Sequence, residues 1–340
     1  MKLTGHLSFL AALIGCVALL PGQPPAGRGA GGGRGRGPVS NYWAVKTRAG
    51  VYIPPNKPLT RLADLKAKHP GQTNWSEIVV KDPEDVAEYN SAAPGTKYQR
   101  RLHPDTGTFM VIVDGELHFD IEGQPPIVAT RGSLVNILRT TPFSYEAGGD
   151  KPALWVEINP LNYQTVYPAE GPPPPAPPGA EVVKVSFGRA PSAYAAPNIP
   201  HWNLFEAAKA GPPGGYRSIQ DHLFANPIWG YADPKDPANP NRDSPAGGGR
   251  GGRGGAAAGP FNPNSVFGHM HPGPAEWWIV QSGQVTGRFE NTGEFTGSEG
   301  DILYAAPMTW HQMGFKGPGL SCRLALGAYD FINMNNTGGQ

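Results

Sequence analysis

Cysteine is almost absent from this chain: there are two in 340 residues, Cys16 and Cys322. Cys16 lies in an N-terminal apolar segment. Removal of that segment would leave Cys322 alone and exclude an intramolecular disulfide even in an oxidising compartment, so the fold has to be held by packing. A charge excess is missing too. Lys and Arg number 28 against 27 Asp and Glu, for a formal net charge of +1, and so balanced a chain lacks the basic field that a nucleic-acid partner requires. Long apolar runs are also scarce. The run from Leu7 to Leu20 is broken by small and polar residues and is too short for a membrane span. Preceded by Lys2 and closed by Pro21-Gly22, it has the form of a secretory signal, which implies cleavage near Gly22 and an exported, periplasmic or extracellular protein. Leu13-Ile14-Gly15-Cys16 also resembles a bacterial lipobox, an alternative that anchors the chain through lipid on Cys16. Against it, Val17-Ala18-Leu19-Leu20 stays apolar where a polar tether normally follows.

Glycine and proline are abundant, at 47 and 39 residues, a composition that suits many short strands joined by turns and suits loose linkers equally. Gly27–Gly37 and Gly247–Gly255 are Gly/Arg-rich tracts. An RGG-like nucleic-acid segment is one reading, but few arginines supply charge and an exported protein seldom meets a nucleic acid, so a flexible linker is the better one.

The chemistry concentrates at Gly268-His269-Met270-His271-Pro272-Gly273-Pro274-Ala275-Glu276. Side chains alternate along a strand, so His269 and His271 project from one face, and a turn can bring Glu276 back beside them. Downstream, Gly300 and Pro307 punctuate a short apolar strand ahead of His311. Three imidazoles and one carboxylate, without a thiolate, suit one divalent transition metal among Fe, Mn, Ni, Cu and Zn, with Fe or Mn favoured. Four such ligands on a six-coordinate ion leave two positions open for substrate, or for substrate and O2. By strand parity Trp278 and Val280 share a face with Glu276, and Met313 shares one with His311, which makes the three candidate walls of a substrate pocket. Apolar residues inside a barrel are more often plain core.

These two stretches together resemble the paired signature of the cupin superfamily, matching it at His269, His271, Glu276, Gly283, Gly300, Pro307 and His311. The resemblance implies a jelly-roll β-barrel and a metal. It does not imply a reaction, since cupins include dioxygenases, decarboxylases, isomerases, lyases and binding proteins. The pattern also repeats. Thr108–Val113, the turn Asp114-Gly115 and the alternating Glu116–Ile121 read as a hairpin, Gly132–Leu138 echoes Gly300–Tyr304, and Trp155–Ile158 reads as a closing strand. Setting Gly115 opposite Gly283 places Arg101, His103 and Thr108 opposite His269, His271 and Glu276. Setting Pro142 opposite Pro307, with three extra residues, places Glu146 opposite His311. Only one ligand survives in the repeat, so a metal is expected in the second barrel alone, and Arg101 is left to bind an anion or to form a surface ion pair.

The expected class is therefore all-β, with two tandem cupin jelly-roll domains, short flanking helices and long Gly/Pro-rich loops. Residues 1–22 form the signal peptide, 23–38 a Gly/Arg-rich linker and 39–97 an arm packed on the first barrel. The degenerate barrel covers 98–166, a Pro-rich linker 167–180 and the metal-binding barrel 181–330, with a Gly/Arg insert at 244–259. Within these spans, Leu59–His69 reads as a helix stopped by Pro70, Asp85–Tyr89 as a helical turn, Glu181–Phe187 as a strand and Asn203–Ala210 as a short helix. Residues 211–260 read mostly as loop, and His222 there is a substrate contact or an ordinary surface residue. Three functions fit: an exported metal-dependent oxygenase acting on a small oxygen-bearing substrate, a redox-neutral decarboxylase, lyase or isomerase, and a non-enzymatic small-ligand-binding protein. No membrane span is expected, and self-association is left open.

Overall fold

The computed structural model describes residues 44–46, 50–195, 198–210, 218–220, 223–233, 235–239, 268–328 and 333–335. The N-terminal segment read as a signal, both Gly/Arg tracts and His222 lie outside the described residues. Strands are numbered in chain order. After β1 (Leu59–Thr60) and α1 (Leu62–Lys68) come β2 (Trp75–Lys81), β3 (Asp85–Ala92), β4 (Lys97–Arg101), β5 (Thr108–Asp114) and β6 (Glu116–Ile121). They are followed by β7 (Ile127–Thr130), β8 (Ser133–Ile137), β9 (Phe143–Ala147), β10 (Ala153–Pro160), β11 (His201–Asn203) and α2 (Leu204–Ala210). The second half holds β12 (Ser218–Gln220), β13 (Leu223–Tyr231), β14 (His269–Met270), β15 (Glu276–Ser282), β16 (Gln284–Phe289) and β17 (Gly293–Gly297). It ends with β18 (Ile302–Ala305), β19 (His311–Lys316), β20 (Leu320–Ala328) and β21 (Met334–Asn335).

These strands build two jelly-roll barrels, each a large sheet facing a smaller one. Barrel 1 pairs β11-β8-β5-β10-β3-β2 with β4-β9-β6-β7, and barrel 2 pairs β1-β18-β15-β20-β13-β12 with β17-β16-β19-β14-β21. Alternation on the large sheets serves two cores at once. On β5, Phe109, Val111 and Val113 point to an inter-barrel core while Met110 and Ile112 fill barrel 1. On β15, Trp277 and Ile279 point to the same inter-barrel core while Trp278 and Val280 fill barrel 2. The two large sheets are thus packed back to back. They also exchange edge strands: β1 from the N-terminal segment extends barrel 2 at β18, and β11 extends barrel 1 at β8.

Several boundaries differ from the sequence reading. Asp85–Tyr89 is strand, because Asp85, Ala87 and Tyr89 alternate as buried residues and β3 pairs along its whole length with β10. With β2 and β3 in its large sheet, barrel 1 begins well before residue 98. The N-terminal arm packs on barrel 2 as well, through β1 and through Gly50, where a Cβ would collide with Thr309 Oγ1. Glu181–Phe187 forms no strand, and Val182, Val183, Val185 and Phe187 are exposed. The edges it could have joined at β8 and β18 are taken by β11 and β1. Two strands, β12 and β13, stand where loop was expected after residue 211. No helix among the described residues is long and apolar enough to cross a membrane.

A buried carboxylate borders the inter-barrel core. Trp277 Nε1 donates to Asp85 Oδ2 at 3.0 Å, while Asp85 Oδ1 is buried without a partner. Burial, and the neighbouring Asp82 after it, push the Asp85 carboxyl well above its ordinary range. A raised folded-state value means that the stability Asp85 contributes is complete below the unfolded aspartate value, about 4, and is lost as pH rises through the folded value. Asp85→Asn keeps an acceptor for Trp277 and removes the titration. Thermal melts across pH should show the variant more stable than wild type at pH 8, with the gain shrinking towards about pH 4.

Candidate metal centre

Two turns bring the four candidate ligands together. Gly268 is in the left-handed region at φ 69°, and a Cβ there would lie 2.0 Å from the His311 carbonyl oxygen, so only glycine lets β14 approach β19 and pair His269 with His311. The second turn runs Ala306-Pro307-Met308-Thr309. Thr309 N–H donates to Ala306 O at 3.1 Å and Met308 sits at φ 63°, a type II arrangement with proline at its usual second position. Met308 N–H also donates to His271 O at 2.8 Å, which ties the loop before His311 to the loop before Glu276.

The ligand atoms of His269, His271, Glu276 and His311 all lie within 4.8 Å of one another. Glu276 Oε2 is 3.0 Å from His271 Nε2, 3.2 Å from His311 Nε2 and 3.6 Å from His269 Nε2, and the His269 and His311 Nε2 atoms are 3.1 Å apart. These contacts cannot all be hydrogen bonds. His311 Nδ1 is 3.0 Å from Thr309 O, and a carbonyl can only accept, so in the neutral ring Nδ1 carries the proton and Nε2 presents a lone pair. Burial lowers the His311 value below its ordinary range and keeps it neutral, against the opposing pull of Glu276. Burial alone would raise Glu276, but its contacts with the three imidazoles outweigh that and hold the carboxyl well below the usual range. Imidazole nitrogens and an ionised carboxylate converging on one point suit a divalent cation. His271 and His311 are buried, whereas the His269 side chain is 28% exposed, so the centre opens beside His269.

The candidate pocket residues lie at different depths. The Trp278 ring is 5.4 Å from the His311 ring and 6.3 Å from Phe289. Met313 is partly buried in the same interior cluster, and Val280 is fully buried further along β15. Arg323 shares this interior face and was missed by motif reading, because its place depends on the pairing of β20 with β15.

In barrel 1 the corresponding place is filled differently. The pairing of β4 with β9 sets Arg101 opposite Phe143, as β14 with β19 sets His269 opposite His311, so Phe143 stands where His311 would be. Glu146 points outward and pairs with Lys97 at 3.6 Å, which removes the alignment of Glu146 with His311. The reason is loop length: Pro142 directly precedes Phe143, while Pro307 precedes His311 by four residues. Arg101 forms a buried ion pair, with Nη2 2.9 and 3.1 Å from the two Glu157 oxygens and 3.2 Å from Tyr145 Oη. His103 Nδ1 is 3.0 Å from Gln164 O. A guanidinium thus occupies the level at which barrel 2 gathers its ligands, and among the described residues the barrel 2 quartet is the one cluster that could hold a metal ion.

Residues 91–159 match the family model described as a cupin domain. This is barrel 1, which lacks the ligand quartet. No curated protein sequence matches the chain significantly. Among solved structures, the chain is similar to a glycine-to-alanine mutant of salicylate 1,2-dioxygenase from Pseudoaminobacter salicylatoxidans. The identity is 9% and the TM-score 0.51, over 84% of this chain and 86% of that one. Another structure of that dioxygenase gives 10% and 0.50, over 85% and 87%. Bacillus subtilis oxalate decarboxylase gives 12% and 0.42, over 74% and 71%. Identities this low establish the fold and no more. The chain thus has a two-barrel cupin fold, with a cupin-domain match over residues 91–159 and a His-His-Glu-His group able to hold a metal in its C-terminal barrel.

The ion pair of barrel 1 can be tested directly. Glu157→Ala leaves Arg101 buried without a counter-charge and should cost about 3–5 kcal/mol in denaturant unfolding. Arg101→Met combined with Glu157→Leu should recover most of that loss, because it removes both charges and keeps the volume.

Proposed function

We propose that this chain is an exported, metal-dependent cupin oxidoreductase of dioxygenase type, acting on a small oxygen-bearing organic substrate at a single centre held by His269, His271, Glu276 and His311. The observation that carries the proposal is the convergence of three imidazole nitrogens and one carboxylate oxygen on a point where hydrogen bonding alone cannot satisfy them. The donor set fits one divalent transition ion, with iron or manganese favoured for their readiness to take oxygen and nitrogen donors at six-coordination. Bound there, such an ion would supply Lewis acidity and redox capacity.

The protein's own groups have separable tasks. Glu276 supplies the anionic charge, the Thr309 carbonyl holds the tautomer and orientation of His311, and the more exposed His269 marks the side of entry. Trp278, Phe289 and Met313 line an apolar interior, which excludes bulk water from the reacting atoms and favours a reaction with O2 over one that needs water. The dioxygenase among the structural relatives shows that this scaffold is used for such chemistry elsewhere; it does not identify the substrate here.

Elemental analysis of native protein should find one metal per chain. Glu276→Gln preserves side-chain volume and removes the charge, so metal occupancy should fall sharply and activity with it, while thermal stability should change little because both barrels have their own packed cores. Full occupancy and activity in that variant would remove Glu276 from the ligand set. In an aerobic substrate screen the oxygen electrode should record uptake with turnover, whereas turnover without uptake would instead establish the redox-neutral reading. N-terminal sequencing should begin near residue 23, and an intact Met1 would contradict export.

A further inference from the structure

The interior of barrel 2 holds a cation that the ligand quartet does not use. Arg323 on β20 is opposite Val280 on one side and Ile228 on the other, four residues before Gly327, which is opposite Glu276. Neighbouring Cys322, Leu324 and Leu326 turn to the inter-barrel core and Ala325 to the barrel interior, so alternation turns Arg323 inward with Trp278 and Val280. The residue is only 7% exposed. Among the described residues it makes no ion pair. Its guanidinium lies 4.9 Å from the centre of the Phe315 ring, its Nη1 reaches Gly314 O at a long 3.4 Å, and its buried Nε has no hydrogen-bond partner.

A buried charge without a counter-ion costs several kcal/mol, and Arg101 in barrel 1 shows the usual remedy, a carboxylate on the other sheet of the same barrel. Position 323 has no such partner. Burial pulls its value down to about 10, with Glu276 acting in the opposite sense, so it remains cationic at neutral pH. Its surroundings are also more accessible to solvent than the matching place in barrel 1. Met313 and Phe315 stay partly accessible, whereas Tyr145 and Ala147, at the matching positions of β9, are buried. Gly314, which the guanidinium touches, is three residues along β19 from His311, roughly 10 Å at strand rise.

We infer that Arg323 is the anion-recognition residue of the barrel 2 site and that the substrate is a small organic acid, its carboxylate seated on Arg323 and its other oxygen functions directed at His269, His271, Glu276 and His311. This rests on the proposed function for its metal end and stands on Arg323 alone for its anionic end.

The test uses full-length protein treated with chelator, titrated calorimetrically with benzoate and with its neutral isostere benzamide. Benzoate should bind wild type, roughly tenfold more weakly to Arg323→Gln and with near wild-type affinity to Arg323→Lys, while benzamide should bind wild type roughly tenfold more weakly than benzoate. Absence of benzoate binding to wild type, equal binding to Arg323→Gln, or equal binding of benzamide would overturn the inference. Should Arg323→Gln fail to fold, the Arg323→Lys and benzamide comparisons decide the matter. Metal content of the reloaded proteins separates the two claims. Arg323→Gln should load metal as wild type does, and a wild type that takes up no metal would refute the centre without touching the benzoate result.

Discussion

Strand β15 has no free face, and much of the molecule follows from that constraint. Trp277 and Ile279 are committed to the core between the barrels and Trp278 and Val280 to the interior of barrel 2, all almost fully buried. A slip of one residue would exchange these two sets and carry Glu276 out of the barrel, so the packing that joins the barrels also fixes the register of the ligand strand. Residue 276 is then opposite Gly327 on β20, with Ala305 on its other side, and its carboxylate meets His271 and His311. The site is held by hydrophobic burial on the far side of its own strand.

The two barrels use one scaffold for opposite electrostatic arrangements. Barrel 2 gathers a carboxylate and three imidazoles and, among the described residues, leaves Arg323 without an ion pair; barrel 1 places a cation and its carboxylate side by side. On the proposed reading a cation at the quartet and an anion at Arg323 complete the first arrangement, while the second is neutral in itself. Neutralisation by protein groups lets barrel 1 bury Arg101 without a bound ion.

What was legible in the sequence was local. His269, His271 and Glu276 lie within one turn of a strand and loop, and the alternation of Glu116–Ile121 can be read residue by residue, so the group at the centre follows from spacing and the class of fold from the family resemblance that this spacing carries. What escaped reading depends on partners distant in the chain. Asp85–Tyr89 has no distinctive pattern until β10 is beside it, and Glu181–Phe187 has a good strand pattern but no edge to join. Glu146 was aligned by a proline when the cross-strand pair Arg101–Phe143 is what defines the position. Arg323 is an ordinary residue in its local sequence and becomes unusual only when strand pairing buries it.

The central claim is that barrel 2 alone holds a metal ion, bound by three histidines and one glutamate. Anomalous X-ray diffraction from crystals of the native protein, recorded at the absorption edge of the metal identified by elemental analysis, tests this most directly. The account predicts a single peak per chain, about 2.0–2.2 Å from a ring nitrogen of His269, His271 and His311 and from a carboxylate oxygen of Glu276. A peak beside Arg101 and His103, or none at the quartet in protein shown to carry metal, would contradict it.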